Sequence, residues 1–476
     1  MVAWPLILII IAMLAGLLVV CTYMLAHYHH PDDANTAWFP KAVVVLGFSA
    51  AALSVLLLPL DVANRNSGST LDMLLFVYIV YPLVAFLALV VIPFAMFYYE
   101  AEEAENNSKS KQLYSALCYT FWTVIVFAGI VGILYGLIGK AEIPVQALTA
   151  RLQPGDAPLN TPCSGCTSTK VDLVIHVSLL VYLVGALSFV GIVLFVCFGG
   201  VGMIALPVDL VRDFVDRPRR IPLDVLAHRK VEIGVQASRL LAEGEELARR
   251  TREKGGKRNR KDRKAYAKFE KKVYLLEKNF KKNVVAHSRA NTRHPWWYVF
   301  DLVLGIFCGL ASFLWVLHII LYMMVDPPAS PFLNDMFIDL DKAFPLFGTS
   351  AYALFTLFLL WAVIKGNVKV GLRIAWFTIH PMIPGETLMS SLLFNAALIL
   401  LSSLAVTQFT AAAFFSYARL TAVSSVFAVQ ISHLRGIKHV INNTKFFLVI
   451  MIGLTFLYYA CCGTKRKLKK DDDDDD

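Results

Sequence analysis

Apolar residues in this chain come in long unbroken runs, separated by short polar links and by one long basic stretch. Crossing a ~30 Å hydrocarbon core as a helix takes about 20 such residues, and nine stretches are suited to it. They are Val2–Ala26, Lys41–Leu60, Leu71–Tyr98, Tyr114–Ile138, Val171–Leu206, Tyr298–Met324, Phe344–Ile364, Thr387–Ala413 and Lys445–Ala460. The runs are continuously apolar and do not alternate, which predicts helices and not the strands of a membrane barrel. The expected fold class is all-α, a polytopic membrane bundle of about nine transmembrane helices. The first run lacks a basic leader and is taken as an uncleaved span. Val171–Leu206 would be about 54 Å long if wholly helical, more than a bilayer needs. Phe414–Val440 is ambiguous: apolar enough to be interfacial or re-entrant, yet bearing Arg419, His433, Arg435 and Lys438.

The pattern changes abruptly at Gly199–Arg220. The fifth run stops at Leu206, and Pro207, Asp209 and Arg212 follow. An earlier run stops in the same way at Leu58–Asp61, with Pro59 and Asp61. Proline ends a helix and aspartate caps the next one, so Asp209 is expected to cap the helix that opens an insert. That insert divides at Gly255-Gly256. Leu226, Ile233, Leu240 and Leu247 recur every seven residues on its first arm, and Tyr266, Phe269, Val273, Leu276 and Phe280 follow 3-4-3-4 spacing on its second. Two helices, each with one apolar seam, predict an antiparallel αα-hairpin with coiled-coil character. The domain organisation expected is an N-terminal bundle over 1–206, the hairpin insert over 207–297, a C-terminal bundle over 298–461 and a charged tail over 462–476.

Composition agrees with a membrane protein: 57% of residues are hydrophobic, 17% charged, and mean hydropathy is +0.60. Soluble domains carry about 25% charged residues. The net charge of +10 is unevenly placed, because Pro207–Tyr298 alone carries +13. A basic block beside a membrane predicts a cytosolic segment facing anionic lipid; no nucleic-acid motif accompanies it, so a nucleic-acid partner is not expected. The positive-inside rule then puts the insert, the Lys365–Arg373 loop and the KRKLKK tail in the cytosol, with the N-terminus outside or lumenal. Arg419, Arg435 and Lys438 fall on the outer side and break that rule.

Candidate chemistry is sparse. His176, His318, Asn395 and Gln408 are the polar groups expected inside the spans, where each must find a partner away from lipid. Cys163 and Cys166 form CSGC in a Pro/Gly/Thr-rich outer loop, a candidate disulfide. Cys461 and Cys462 lie between the last span and a basic tail, a pattern that suits palmitoylation. No phosphate-binding loop, metalloprotease motif, nucleophile elbow or paired intramembrane carboxylate is present, so neither an enzyme nor a bound cofactor or metal is expected.

The LLPLDVANR stretch at Leu57–Arg65, the GVGMIALPVDLVRDF junction with Arg217-Pro218 after it, and the charged helical insert resemble the limb-region-1-like, or LIMR (lipocalin-interacting membrane receptor), family of polytopic membrane proteins. The layout matches too, with five spans before the insert and four after. The resemblance implies fold-defining roles for Pro59, Asp61, Pro207, Asp209 and Arg212, with no catalysis. It also implies receptor-like activity towards an extracellular ligand such as a lipocalin, or, in a lysosomal branch, help with cobalamin export, at the plasma or endolysosomal membrane. Two functions follow. One is a receptor or trafficking adaptor, with a cytosolic adaptor or a second copy engaging the hairpin. The other is a transporter or transport partner for a small or amphiphilic solute, which calls for a polar cavity shared by spans 5, 6 and 8.

Overall fold

Long apolar runs bury their own backbone polarity only as helices, and the computed structural model is built accordingly. It describes residues 4–33, 37–68, 71–103, 109–149, 167–217, 223–253, 265–266, 268–277, 279–280, 294–374, 377–380 and 382–471. The chain divides into two compact units, Met1–Leu206 with Cys308–Asp476, and Pro207–Phe307. Among the described residues, nine helices are long and apolar enough to cross a membrane.

In chain order the helices are α1 (Trp4–Tyr28), α2 (Trp38–Asn66) and α3 (Met73–Phe86), which continues through a π turn, Leu87–Val91, into α4 (Ile92–Glu103). Then come α5 (Lys109–Ile138), an antiparallel ribbon of β1 (Lys140–Thr149) and β2 (Thr167–His176), and α6 (Leu179–Val215). Helix α7 (Leu223–Glu253) belongs to the insert. Helix α8 (Pro295–His318) runs on through a π turn, Ile319–Met324, and is followed by α9 (Phe332–Ala343) and α10 (Phe347–Val370). The short strands β3 (Leu372–Ile374) and β4 (Phe377–Ile379), then α11 (Met389–Ala413) and α12 (Lys438–Asp471), complete the chain.

The first unit is packed around α2 and α11, the two most enclosed spans. Small polar residues seal their contact: Ser54 Oγ lies 2.9 Å from Ser403 Oγ, and Tyr81 and Thr407 both donate to the Ser54 carbonyl, at 3.2 and 3.3 Å. Helices without a hydrophobic force between them meet through small residues. Gly202 and Gly366 do this for α6 and α10, since a side chain on either would collide with the backbone at Ala362 or Phe198. Beside them lies an aromatic cluster of Trp315, Phe337, Tyr352, Phe414 and Tyr417.

Several expectations are corrected. Val171–His176 does not begin a span; it is the second half of β2, paired with β1 from Val145↔Val171 to Lys140↔His176. Val171, Leu173 and Ile175 share one face opposite Val145, Ile143 and Ala141, so the stretch has the period of two of a strand where it resembled the start of an apolar run. Neither proline ends its helix. Pro59 lies inside α2 and Pro207 inside α6. Neighbouring helices relieve the lost backbone bonding, as membrane bundles allow. The Met203 carbonyl, four residues before Pro207, accepts from Ser312 Oγ at 2.6 Å. Asp209 is therefore interior to α6 and is not the N-cap expected of it. The stretch left between the sixth and seventh runs is largely α9, which buries Leu333, Asn334 and Phe337.

In the second unit, α7 packs antiparallel to helical residues around Phe269. Lys272 Nζ pairs with Glu243 Oε2 at 2.9 Å, and a Cβ on Gly244 would sit 2.8 Å from the Phe269 ring. Ile233, Leu240, Gly244, Leu247 and Thr251 are the shielded positions among the described residues of α7, and the side chain of Leu226 lies outside them. The Gly255-Gly256 turn lies outside the described residues. This unit extends to Phe307, ten residues past the expected boundary at 297.

Candidate functional site: the fastenings of α11 and of segment 414–437

A helix leaves four N–H groups at its start and four carbonyls at its end without partners. Burying α11 inside the bundle puts those ends out of reach of water, so remote side chains must serve them. At the start, Asp33 Oδ2 accepts the Met389 N–H at 3.2 Å, while Tyr99 donates to Asp33 Oδ1 at 3.0 Å. At the end, His318 Nε2 donates to the Ala413 carbonyl at 2.9 Å, with Asn334 Nδ2 at 3.5 Å from the same oxygen. The imidazole is fully buried and stacked between Phe414 and Tyr322, with ring planes 11° and 10° from its own.

The middle of α11 is fastened as well. Asn395 Oδ1 accepts from Asn367 Nδ2 at 2.9 Å, and Asn395 Nδ2 donates to the carbonyls of His380 and Ser391. Gln408 Nε2 donates to the Phe427 carbonyl at 2.8 Å and to Ser432 Oγ at 2.6 Å. His318, Asn395 and Gln408 thus lie at three levels along one helix, each held by its own partners. His176 is on β2, exposed and opposite Lys140, and has no place in a span. The structure does not bring the four together.

Phe414–Val440 is a broken segment. Short helical turns at Phe415–Ala418 and Ala422–Ser424 pass into a π turn at Ser425–Gln430 and a 3₁₀ turn at Ile431–His433. Irregular backbone at membrane depth is tolerated only when buried in protein, and Phe414, Tyr417, Val423, Phe427, Ile431 and Leu434 are all buried. The segment is gripped by the residues of LLPLDVANR. Asp61 Oδ2 accepts the Val423 N–H at 2.9 Å. Arg65, one turn on, donates to the carbonyls of Arg419 and Tyr417. Tyr417 donates to Asp341 Oδ2 at 2.6 Å, and Asn66 Nδ2 reaches the same oxygen at 2.9 Å.

At its far end the segment meets the ribbon. The Arg435 N–H donates to the Lys140 carbonyl at 2.9 Å. Glu142 on β1 pairs with Lys438 at 2.5 Å and with Arg435 at 3.5 Å. The Lys438 hydrogen bond, followed by the Coulomb attraction of Lys438 and Arg435, holds the Glu142 carboxyl below the ordinary glutamate range. Two of the three cations expected to break the positive-inside rule therefore share one carboxylate, which offsets one of their two charges.

Arg212 occupies the last turn of α6, where a cation suits the helix dipole. Cys461 is exposed near the foot of α12 and is a free thiol. Cys163 and Cys166 lie outside the described residues, as does the side chain of Cys462. Asp33, Asn334 and Asp341 were not singled out in the sequence, because acids and amides in short links resemble solvated surface.

A bundle of nine apolar helices with buried polar fastenings and a broken, protein-enclosed segment defines an integral multi-pass membrane protein. The family model described as "LMBR1-like membrane protein" matches residues 6–284 and 263–408. A LIMR family protein of Oryza sativa subsp. japonica is 39% identical over 490 residues, covering 95% of each chain. One from Arabidopsis thaliana is 39% identical over 474 residues, covering 92% of each, and one from Dictyostelium discoideum is 36% identical over 456 residues, covering 87% of this chain and 89% of its own. The chain belongs to the LIMR family. No solved structure matches it.

Proposed function

We propose that the protein acts as a receptor or trafficking adaptor for a ligand on the outer or lumenal side of a plasma or endolysosomal membrane, and not as a carrier of polar solutes or an enzyme. The observation that carries this reading is the separate fastening of His318, Asn395 and Gln408. A polar path through apolar walls needs polar groups facing a common space. These three instead donate to separate partners at separate levels of α11, and His318 Nδ1 and Gln408 Oε1, left without a partner among the described residues, are buried.

The ribbon supports the reading from the other direction. Its ten-residue strands give an outward surface that loops alone would lack, and Val145, Val171 and Leu173 are exposed on one face of it. The +13 insert favours a cytosolic position against anionic lipid, available to an adaptor or a second copy. The N-terminus is then outside or lumenal and the C-terminus cytosolic. An amphiphile-handling role as transporter or transport partner is the second reading, favoured by a groove lined by apolar side chains between α3, α5 and α6.

The test is uptake of an antibody against an epitope placed between β1 and β2 in living cells. Internalisation should occur and should slow when Arg249, Arg250 and Arg252 are changed to Gln. Surface labelling without uptake would overturn the proposal, as would flux of small polar solutes through proteoliposomes.

A further inference from the structure

Helix α5 is one of the two least enclosed spans. Its first half packs along α4. Its far end is pinned to the start of α6 by Tyr135, whose hydroxyl donates to the Val177 carbonyl at 3.0 Å and whose ring meets Tyr182 at 5.3 Å. Between these attachments, along Val124–Gly132, no side chain among the described residues fills the space towards α3 and α6. The result is a groove of about 380 Å³, within the size range of small-molecule sites. It runs about 12 Å along α5.

Its walls come from Pro82, Ala85 and Phe86 on α3, the adjoining π turn, α5 and the first residues of α6, and every lining side chain is apolar. Water needs two to four polar partners to occupy such a space, and an empty groove would forfeit dispersion contacts along its whole lining. The rim residues Phe86 and Leu179 are 54% and 56% exposed, so the groove opens onto the faces of spans that meet lipid. It is continuous with that interface.

We infer that this groove holds one acyl chain of a bilayer phospholipid, drawn from the leaflet on the β1–β2 side, as an integral wedge between α5 and the α3–α6 pair. The chain is hydrocarbon because every lining side chain is apolar. It comes from that leaflet because the groove reaches the first turns of α6 directly after β2, at Leu179, Leu180 and Leu183. The inference stands under either function proposed above.

The experiment uses the full chain in phosphatidylcholine nanodiscs containing a phospholipid with a diazirine midway along one acyl chain. After photolysis, adducts are mapped by peptide mass spectrometry. Adducts should concentrate several-fold on Val124–Gly132 and Leu179–Leu183 relative to α1, the other least enclosed span. Ala128→Trp, which fills the groove, should reduce them about fivefold and leave those on α1 unchanged. Gly129→Trp, directed away from the groove into open space, reports on folding and should change neither. Equal labelling of the groove and α1 would mean annular lipid only and would overturn the proposal. Loss of groove adducts on adding unlabelled sterol would overturn it in favour of a sterol, and absence of groove adducts would overturn it outright.

Discussion

The Asp61 carboxylate on α2 accepts the backbone N–H of Val423 at 2.9 Å, 362 residues further along the chain. A second aspartate does the same at the start of α11, where Asp33 accepts the N–H of Met389 from 356 residues away. Each serves a backbone group that burial has cut off from water, and neither caps its own helix. One acid before α2 and one near its end thus hold in place the two segments that the rest of the bundle encloses.

The role of Asp61 as an acceptor can be separated from its charge. Asp61→Ala leaves the Val423 N–H buried and unpaired, which should cost about 1–3 kcal/mol. Asp61→Asn keeps an amide oxygen in place and should cost less than half as much. Thermal unfolding in nanodiscs, followed by tryptophan fluorescence, measures both. Equal losses would mean that the negative charge, beside Arg65, is what the site requires.

Pro207 and Ser312 should be coupled through the Met203 carbonyl. Ser312→Ala removes the hydroxyl donor and should lower stability by about 1 kcal/mol. In a Pro207→Ala background the same change should cost clearly less, because the new backbone N–H can reach Met203 along the helix. A double-mutant cycle on unfolding midpoints reads the coupling. Additive effects would detach Ser312 from the proline.

Much of the bundle was legible in the sequence because lipid imposes a simple rule: about 20 apolar residues make a span. Eight of the nine runs map onto helices with only their ends adjusted, and the fifth loses its first residues to β2. What escaped was whatever depended on contacts remote in sequence. Pro59 and Pro207 suggest helix ends until Thr407, Tyr81 and Ser312 are seen donating to nearby carbonyls. Asp33 and Asp341 look like solvated links until they are found accepting from Met389 and Tyr417. His318, Asn395 and Gln408 were recognisable as unusual, but their partners, backbone carbonyls in Ala413, His380 and Phe427, carry no side-chain signature.

The Glu142 cluster gives a pH dependence with a definite sign. Its folded-state carboxyl is held below its ordinary value of 4.5 by Lys438 and Arg435. A depressed carboxylate contributes stability that is fully present above its unfolded pKa and is lost as pH falls through the folded one. The ribbon should therefore stay docked on Arg435 and Lys438 at neutral and mildly acidic pH and loosen only below about pH 4.5. Hydrogen exchange at Ala141–Ile143 and Leu434–Lys438, taken as a function of pH, follows this. In Glu142→Gln the acid step should vanish, and exchange at neutral pH should be raised to the level the wild type reaches only in acid. An unchanged acid step in that variant would place the titrating group elsewhere.

The sharpest test of the membrane arrangement uses the ribbon and the insert, because a single span, α6, separates them in the chain. One crossing puts them on opposite sides whatever the orientation of the whole. The charge distribution then predicts the orientation: +13 over Pro207–Tyr298, in a chain of net +10, is expected on the cytosolic side. Lys170 on β2 and Arg250 on α7 are both exposed, so Lys170→Cys and Arg250→Cys present reporters with little structural cost. In a background lacking the other accessible cysteines, a membrane-impermeant maleimide added to intact cells or sealed organelles should label only one of the two. For surface protein the labelled site should be Lys170→Cys, with Arg250→Cys reacting only after permeabilisation. Labelling of both from one side would mean that α6 does not cross. Labelling of Arg250→Cys alone from outside would keep the crossing and invert the orientation, leaving the basic insert facing away from the anionic leaflet.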